Sequence, residues 1–358
     1  MDRTIRASLL FLAFVALIFL LYVTRDLLAP LALAIFIWLI IDAFARWIDN
    51  LSDKIPYWPA LIIAVLVVLA ALVGIVLIVA DTGFDVASQS ERYEVKLNEM
   101  FAWMENVLPG DDDFGSLNER FGLTEKVTAS LVGFARSVQG VVSNFFLILI
   151  YVAFLFAAQS SFPKKMDDLF PDVNRRAQAS KVAVRIRHSI EKYLGVQTII
   201  SLMQTVVSYA VMASLGLENA LFWALVIFIL NYIPIVGGPA AIVLPVMFAL
   251  VQYNSMTPVA LLTGGLFGAQ VVIGNTIQPK MMGDSMNLSA LVVVLSLTMW
   301  YALWGGVGAL LSAPLTVIIM IVLAQFDTTR WIAVLLSADG QPDMDPDEKK
   351  RYAAKPSM

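Results

Sequence analysis

Residues 231–245 read NYIPIVGGPAAIVLP, an Asn, three prolines and a Gly-Gly pair set inside an otherwise apolar region. Each proline lacks a backbone donor and disrupts the turn before it. The paired glycines loosen what remains. In hydrocarbon, a freed N–H or C=O is costly unless protein or trapped water satisfies it. The stretch therefore predicts a broken element lining a cavity or path, with Asn231, Pro234, Gly237, Gly238, Pro239 and Pro245 as its residues. The same residues also fit a plain kinked span whose glycines permit close helix packing.

That this stretch sits at membrane depth follows from composition. Hydrophobic residues make up 59% of the chain and charged residues 15%, with a mean hydropathy of +0.79. Such a balance implies an all-α polytopic membrane protein rather than a soluble fold with a greasy core. There is no cysteine, which rules out a disulfide, a thiolate metal site or a cysteine nucleophile. The single histidine, His188, lies among basic residues and cannot build a His-rich metal site. No Ser-His-Asp set, Gly-rich phosphate loop, HExxH or EF-hand pattern is present. The reading is of a non-enzyme with no cofactor, no metal and no nucleic-acid partner.

Taken in order, the chain offers eight full spans and one pair of short apolar pieces. Residues 1–80 hold the first three spans, at 7–23, 27–48 and 59–80. The first is too long for a secretory signal and lacks a small-x-small cleavage site. Residues 81–140 differ in kind, with eleven acidic and five basic residues and apolar positions at helical spacing. They predict two amphipathic helices outside the hydrocarbon, broken at Pro109-Gly110 before Asp111–Asp113. The fourth span is 141–158. Residues 159–192 are expected to form a cytoplasmic basic helical segment with no apolar run long enough to cross, and its stretch from Lys164 to Arg187 reads as a topology determinant rather than a phosphate site.

Residues 193–326 hold the fifth span, 196–215, and then the two short pieces 220–230 and 240–251 flanking the break. A fourteen-residue helix is only about 21 Å long, against a hydrocarbon core of about 30 Å. The segment 219–252 is therefore expected to be a re-entrant helical hairpin. Three further spans follow at 259–273, 288–304 and 307–324, then a polar tail over 327–358. With both termini cytoplasmic, 18 of the 24 Lys and Arg residues fall inside, as the positive-inside rule asks.

Two more clusters are candidates. Gln270, Asn275, Thr276, Gln278 and Pro279 lie at the inner end of the sixth span, as polar contacts on the same path or as an ordinary helix end. Gly264, Gly265, Gly268 and Gly274 point to tight packing there. Trp300, Trp304, Gly305, Gly306, Gly308 and Pro314 read as a minimal outer turn, with the two tryptophans as interfacial anchors. Acidic groups near spans are few: Asp42, Asp81, Glu218 and Asp284. If transport is coupled to ions, one of these must serve, and Asp42 is the deepest.

These motifs resemble a known family. NYIPIVGGP, then NTIQPKMMG at 275–283, then SLTMWYALWGGVGALLSAPL at 296–315 are similar to the autoinducer-2 exporter family of bacterial inner-membrane proteins. LFPDVNRRAQ leading into EKYLGVQT resembles that family's segment before the fifth span. The likeness covers residues 163–324, about half the chain, while the N-terminal half agrees only in layout. It implies a multispanning transporter, a conducting Pro/Gly break and a homo-oligomer. By position it implicates Asn231, Pro234, Gly237, Asn275, Pro279, Gly283, Trp304, Gly305, Gly308 and Pro314. The family label implies export of a quorum-sensing furanone, and other members are associated with sodium–proton exchange. This chain departs in having no acidic residue within a span of the matching half. Three functions stay open: an exporter of a small polar solute or signalling molecule, a cation–proton antiporter, and a non-transporting membrane scaffold docking partners through 81–140.

Overall fold

The computed structural model describes residues 3–51, 56–88, 95, 145–253, 255–282 and 286–342. Most of the expected amphipathic segment, the turn Asp111–Asp113, Gly283, Asp284 and the tail past residue 342 lie outside the described residues. Within them the chain is helical. Helix α1 (Arg3–Val23) is followed by α2 (Arg25–Leu51) and α3 (Tyr57–Ser88). Next come α4 (Phe145–Gln159), α5 (Phe162–Leu169) and α6 (Val173–Ser214). The hairpin arms are α7 (Ala220–Leu230) and α8 (Gly237–Gln252). Then α9 (Met256–Ala269) runs without a gap into a π-helical turn, Gln270–Ile277, and α10 (Gln278–Met282). Helices α11 (Ala290–Leu323) and α12 (Arg330–Leu336) complete the order.

Five helical stretches are long and apolar enough to cross a membrane: Arg25–Leu51, Tyr57–Ile75, Val173–Ser214, Met256–Met282 and Ala290–Leu323. The pair α4 and α5, bent by 65°, adds a sixth if it is one span. The expected polytopic all-α class holds. Large apolar side chains on α1, α3 and α4 face outward, among them Phe11, Phe19, Leu66 and Phe154, as lipid-facing surfaces do.

Helix α2 is the hub. One side packs Ala34, Ile41 and Ala45 against Ala60 and Ala64 of α3 and Ile148 and Val152 of α4. Its other side packs Ala32, Phe36 and Leu39 against Ile190, Tyr193 and Leu194 of α6 and Leu311 and Ala313 of α11. The many alanines in these contacts allow close helix approach where burial alone gives no drive inside lipid.

Helix α6 corrects one expectation. The basic segment before the fifth span is not separate from it: Val173–Ser214 is one helix of 42 residues, capped by Asp172, whose carboxylate accepts from the Arg175 N–H at 2.9 Å. At ~1.5 Å per residue that is about 63 Å, twice a hydrocarbon core. Hydropathy stops at the membrane edge, but nothing in the polar half breaks a helix, so the rod continues beyond it.

The hairpin is present and closed at its mouth. The Gln252 side chain accepts from the Glu218 N–H at 2.7 Å and donates to the Gly216 carbonyl at 2.8 Å, while the Tyr253 hydroxyl donates to the Leu215 carbonyl at 2.9 Å. The chain therefore leaves at the level where it entered. Trp223 of α7 meets Phe248 of α8 at 5.3 Å between ring centroids, in a core shared with Leu262 and Leu266 of α9.

Helix α11 is a second hairpin. Gly305 has φ +61° and ψ −140°, a conformation that L side chains rarely adopt. The Trp300 indole donates to Thr316 Oγ1 at 3.2 Å, although sixteen residues of straight helix would separate them by about 24 Å. Leu288 and Met320, near the two ends of α11, share one cluster with Ala333 of α12, so the arms run side by side. A tight turn at Gly305 thus joins the two arms, and both tryptophans are tied into the protein. Trp300 is buried, and Trp304 donates to the Leu21 carbonyl at 3.1 Å, tying α11 to α1.

Candidate functional site

The break between α7 and α8 is built from short-range bonds. The Tyr232 and Ile233 N–H groups reach back three residues, to Ile229 and Leu230, rather than four. After Pro234, which has no N–H, Ile235 takes φ +66° and the Val236 N–H bonds to the Pro234 carbonyl at 2.6 Å. That is a γ-turn of the rare positive-φ kind, centred on a β-branched residue that disfavours it. The helix resumes at Gly237, where a Cβ would stand 2.0 Å from the Leu230 carbonyl oxygen. Only glycine lets the two arms approach this closely.

Opening a helix frees carbonyls, and one of them is met by α6. Gln197, 1% exposed, donates to the Asn231 carbonyl at 2.6 Å, and its Oε1 accepts from Gln278 Nε2 at 3.4 Å. The Thr198 hydroxyl donates to the Leu194 carbonyl and so accepts from the Tyr232 hydroxyl at 2.7 Å. The tip of the hairpin is thus pinned to α6 and α10 by polar side chains.

Gln270 opens the π-helical turn. A Cβ on Gly238 would lie 2.4 Å from Gln270 Nε2, and one on Gly274 would lie 2.2 Å from it. The amide is therefore sandwiched between α8 and its own helix, in space that two glycines leave. A π turn widens the helix locally and recurs at functional sites. Here it lies directly across from the break.

Of the residues singled out in the sequence, the fold brings together Asn231, Gly237, Gly238, Gln270 and Gln278. Asn275, Pro279 and Pro239 are exposed, and Pro234 is half-buried at the tip. Among the acidic candidates, Glu218 is exposed at the hairpin mouth. Asp81 lies on α3 with its side chain outside the described residues, as is the whole of Asp284.

Asp42 is fully buried on α2, and both its oxygens are engaged. Arg46 at 2.9 Å and Arg187 donate to Oδ2, and the Tyr57 hydroxyl donates to Oδ1 at 2.5 Å. Arg187 also donates to Glu191 at 2.6 Å and lies over the Trp38 ring, whose indole donates to Gln159 at 3.4 Å. This network ties α2, α3, α4 and α6 together.

Sequence reasoning missed the polar row on α6. Gln197, Ser201, Gln204 and Ser208 recur at helical spacing on one face of an apolar run, and each is at most 2% exposed. The spacing was the available signal. Among the described residues, five buried side-chain polar atoms have no hydrogen-bond partner within the protein: Gln204 Oε1, Ser208 Oγ, Trp223 Nε1, Asn231 Nδ2 and Gln270 Oε1. All five belong to α6, the π turn, or α7 with the break that follows it. No group of three or more His, Cys, Asp and Glu that could hold a metal occurs among the described residues.

A family profile described as AI-2E family transporter matches residues 9–327. The AI-2 transport protein TqsA of Escherichia coli K12 is 35% identical over 207 residues, 58% of this chain and 59% of that protein. The chain thus aligns with less than two thirds of that relative's length. A Haemophilus influenzae protein is 29% identical over 322 residues, covering 87% of this chain and 90% of its own. YhhT of Escherichia coli K12 is 28% identical over 329 residues, 90% of each chain. The last two carry only provisional transport names.

Proposed function

The chain belongs to the AI-2E family of membrane transporters, and from that premise we propose that it moves a small, uncharged polar solute or signalling molecule across the bacterial inner membrane. The path runs past the break, between Asn231, Gly237 and Gly238 on the hairpin and Gln270 and Gln278 on the π turn and α10. The observation that carries this reading is the meeting of a strained γ-turn at Ile235 with a π-helical turn at Gln270, both flanked by buried amides. Irregular backbone at membrane depth is tolerated where it is buried in protein or lines a cavity.

An uncharged cargo fits because the polar groups met at the break among the described residues are amides and hydroxyls. Asp42, the deep carboxylate, is held by two guanidinium groups and a phenol, which suits a structural tie better than a proton carrier. The distribution of basic residues supports cytoplasmic termini, the lack of any catalytic motif a non-enzyme, and the family likeness a homo-oligomer. Likeness to TqsA makes autoinducer-2 the first solute to try. In vesicles loaded with it, the native chain should release it, and an Asn231→Leu variant that folds normally should release it at least about tenfold more slowly. Equal rates would contradict the path.

A further inference from the structure

We infer that Gln204 and Ser208 of α6, together with Gln270 of the π turn, form a binding site for a neutral solute bearing adjacent hydroxyl groups. This rests on the transport reading and names the step that selects the cargo.

The placement follows from two contacts. Gln197 meets Gln278, and Val211 lies against Gly265, where a Cβ would stand 2.6 Å from the valine methyl. Helices α6 and α9 with its π turn are therefore antiparallel. Gln204 and Ser208, lying between Gln197 and Val211, fall opposite the stretch from Gly265 to Gln278 that contains Gln270. Gln204 and Ser208 lie on the same face as Gln197, which points at the break.

The chemistry follows from what these groups lack. Gln204 is 2% exposed and Ser208 is 0% exposed, yet Gln204 Oε1, Ser208 Oγ and Gln270 Oε1 have no partner in the protein. Buried polar groups are nearly always hydrogen-bonded, and leaving three unmet on two facing helices costs stability unless something else meets them. Two amide oxygens and a hydroxyl call for a ligand that donates O–H groups at neighbouring positions. None of the three carries charge, so an ion entering here would lose its hydration without gaining a counter-charge. A neutral vicinal diol fits; sodium or a carboxylate does not.

A residue kept for binding and one kept for structure differ in what its removal does to stability. Replacing an unsatisfied buried oxygen with carbon removes a penalty, whereas replacing a packed structural partner adds one. The test uses the full chain in liposomes, with erythritol, ribose, lactate and sodium as probes, and the variants Gln204→Leu and Ser208→Ala. The native chain should pass erythritol or ribose and exclude lactate and sodium. Each variant should melt at the same temperature or higher while its erythritol and ribose flux falls about tenfold. If Gln204→Leu does not fold, Ser208→Ala, which removes a single oxygen, carries the test alone. Normal neutral-solute flux in a folded variant, a lowered melting temperature in Ser208→Ala, or equal passage of lactate overturns the site and leaves the transport reading standing. No flux of any probe by the native chain overturns both.

Discussion

Asp42 shows most clearly how one residue's environment decides its role. Its carboxylate is fully buried, while the side chains of its partners Arg46 and Arg187 remain 48% and 30% exposed. Breaking a fully buried pair costs several kcal/mol, but solvent screening at the arginines reduces that. Asp42→Asn should therefore destabilise the protein by about 1–3 kcal/mol, read as a lower melting temperature, and leave neutral-solute flux intact in the fraction that folds. Loss of flux with an unchanged melting temperature would return Asp42 to the role of proton carrier. Two of the crowded glycines, Gly238 and Gly308, make a different point. At Gly238 the neighbour is the end of a flexible glutamine, which can move; at Gly308 it is the Trp300 carbonyl, 1.9 Å from a built Cβ, which cannot. Gly308→Ala is expected to cost more than about 2 kcal/mol, whereas Gly238→Ala should fold and act on transport by displacing Gln270. Thermal melts of the two purified variants, with flux for the second, check both outcomes.

Among the elements, the broken hairpin stores strain in one identifiable residue. A left-handed conformation costs an ordinary residue roughly 1–2 kcal/mol, while glycine's extra freedom when unfolded costs roughly 0.5–1 kcal/mol. Ile235→Gly should thus be neutral or slightly stabilising, despite putting glycine in an exposed apolar position. The neighbouring Val236, also exposed but with φ −81°, supplies the contrast. Val236→Gly should lower stability by about 0.5–1 kcal/mol. Equal losses in both would mean that Ile235 is not strained. This element was legible in the sequence because proline and glycine act locally, and the same is true of the turn at Gly305. What escaped notice was anything set by a partner far along the chain. That Gln197 would donate to the Asn231 carbonyl, that Trp304 would reach Leu21, and that Gln270 would lie between Gly238 and Gly274 depend on how helices meet, which hydropathy does not record. The continuity of α6 past the membrane edge is hidden for a simpler reason: its charged half shows no apolar run, so hydropathy ends where the helix does not.

At the scale of the whole molecule, an apolar exterior surrounds α2 and α6, and beside the buried Asp42 network and the buried hydroxyls of α11 a polar row lines the face of α6 that meets α7 and the π turn. The large apolar side chains exposed on α1 and α3 suit contact with lipid, whereas the proposed path requires that water reach the break and its amides. The chain contains no cysteine, so a single introduced thiol reports its own surroundings without further engineering. The most direct measurement is the reaction of Asn231→Cys and Pro239→Cys with a membrane-impermeant maleimide in sealed, functional proteoliposomes. At least one of them should be modified in the folded protein, and a transported neutral solute should slow the reaction at Asn231→Cys. Thiols at both positions that stay unmodified until the protein is dissolved in denaturant would show the break to be packed in lipid, and the path would not pass there.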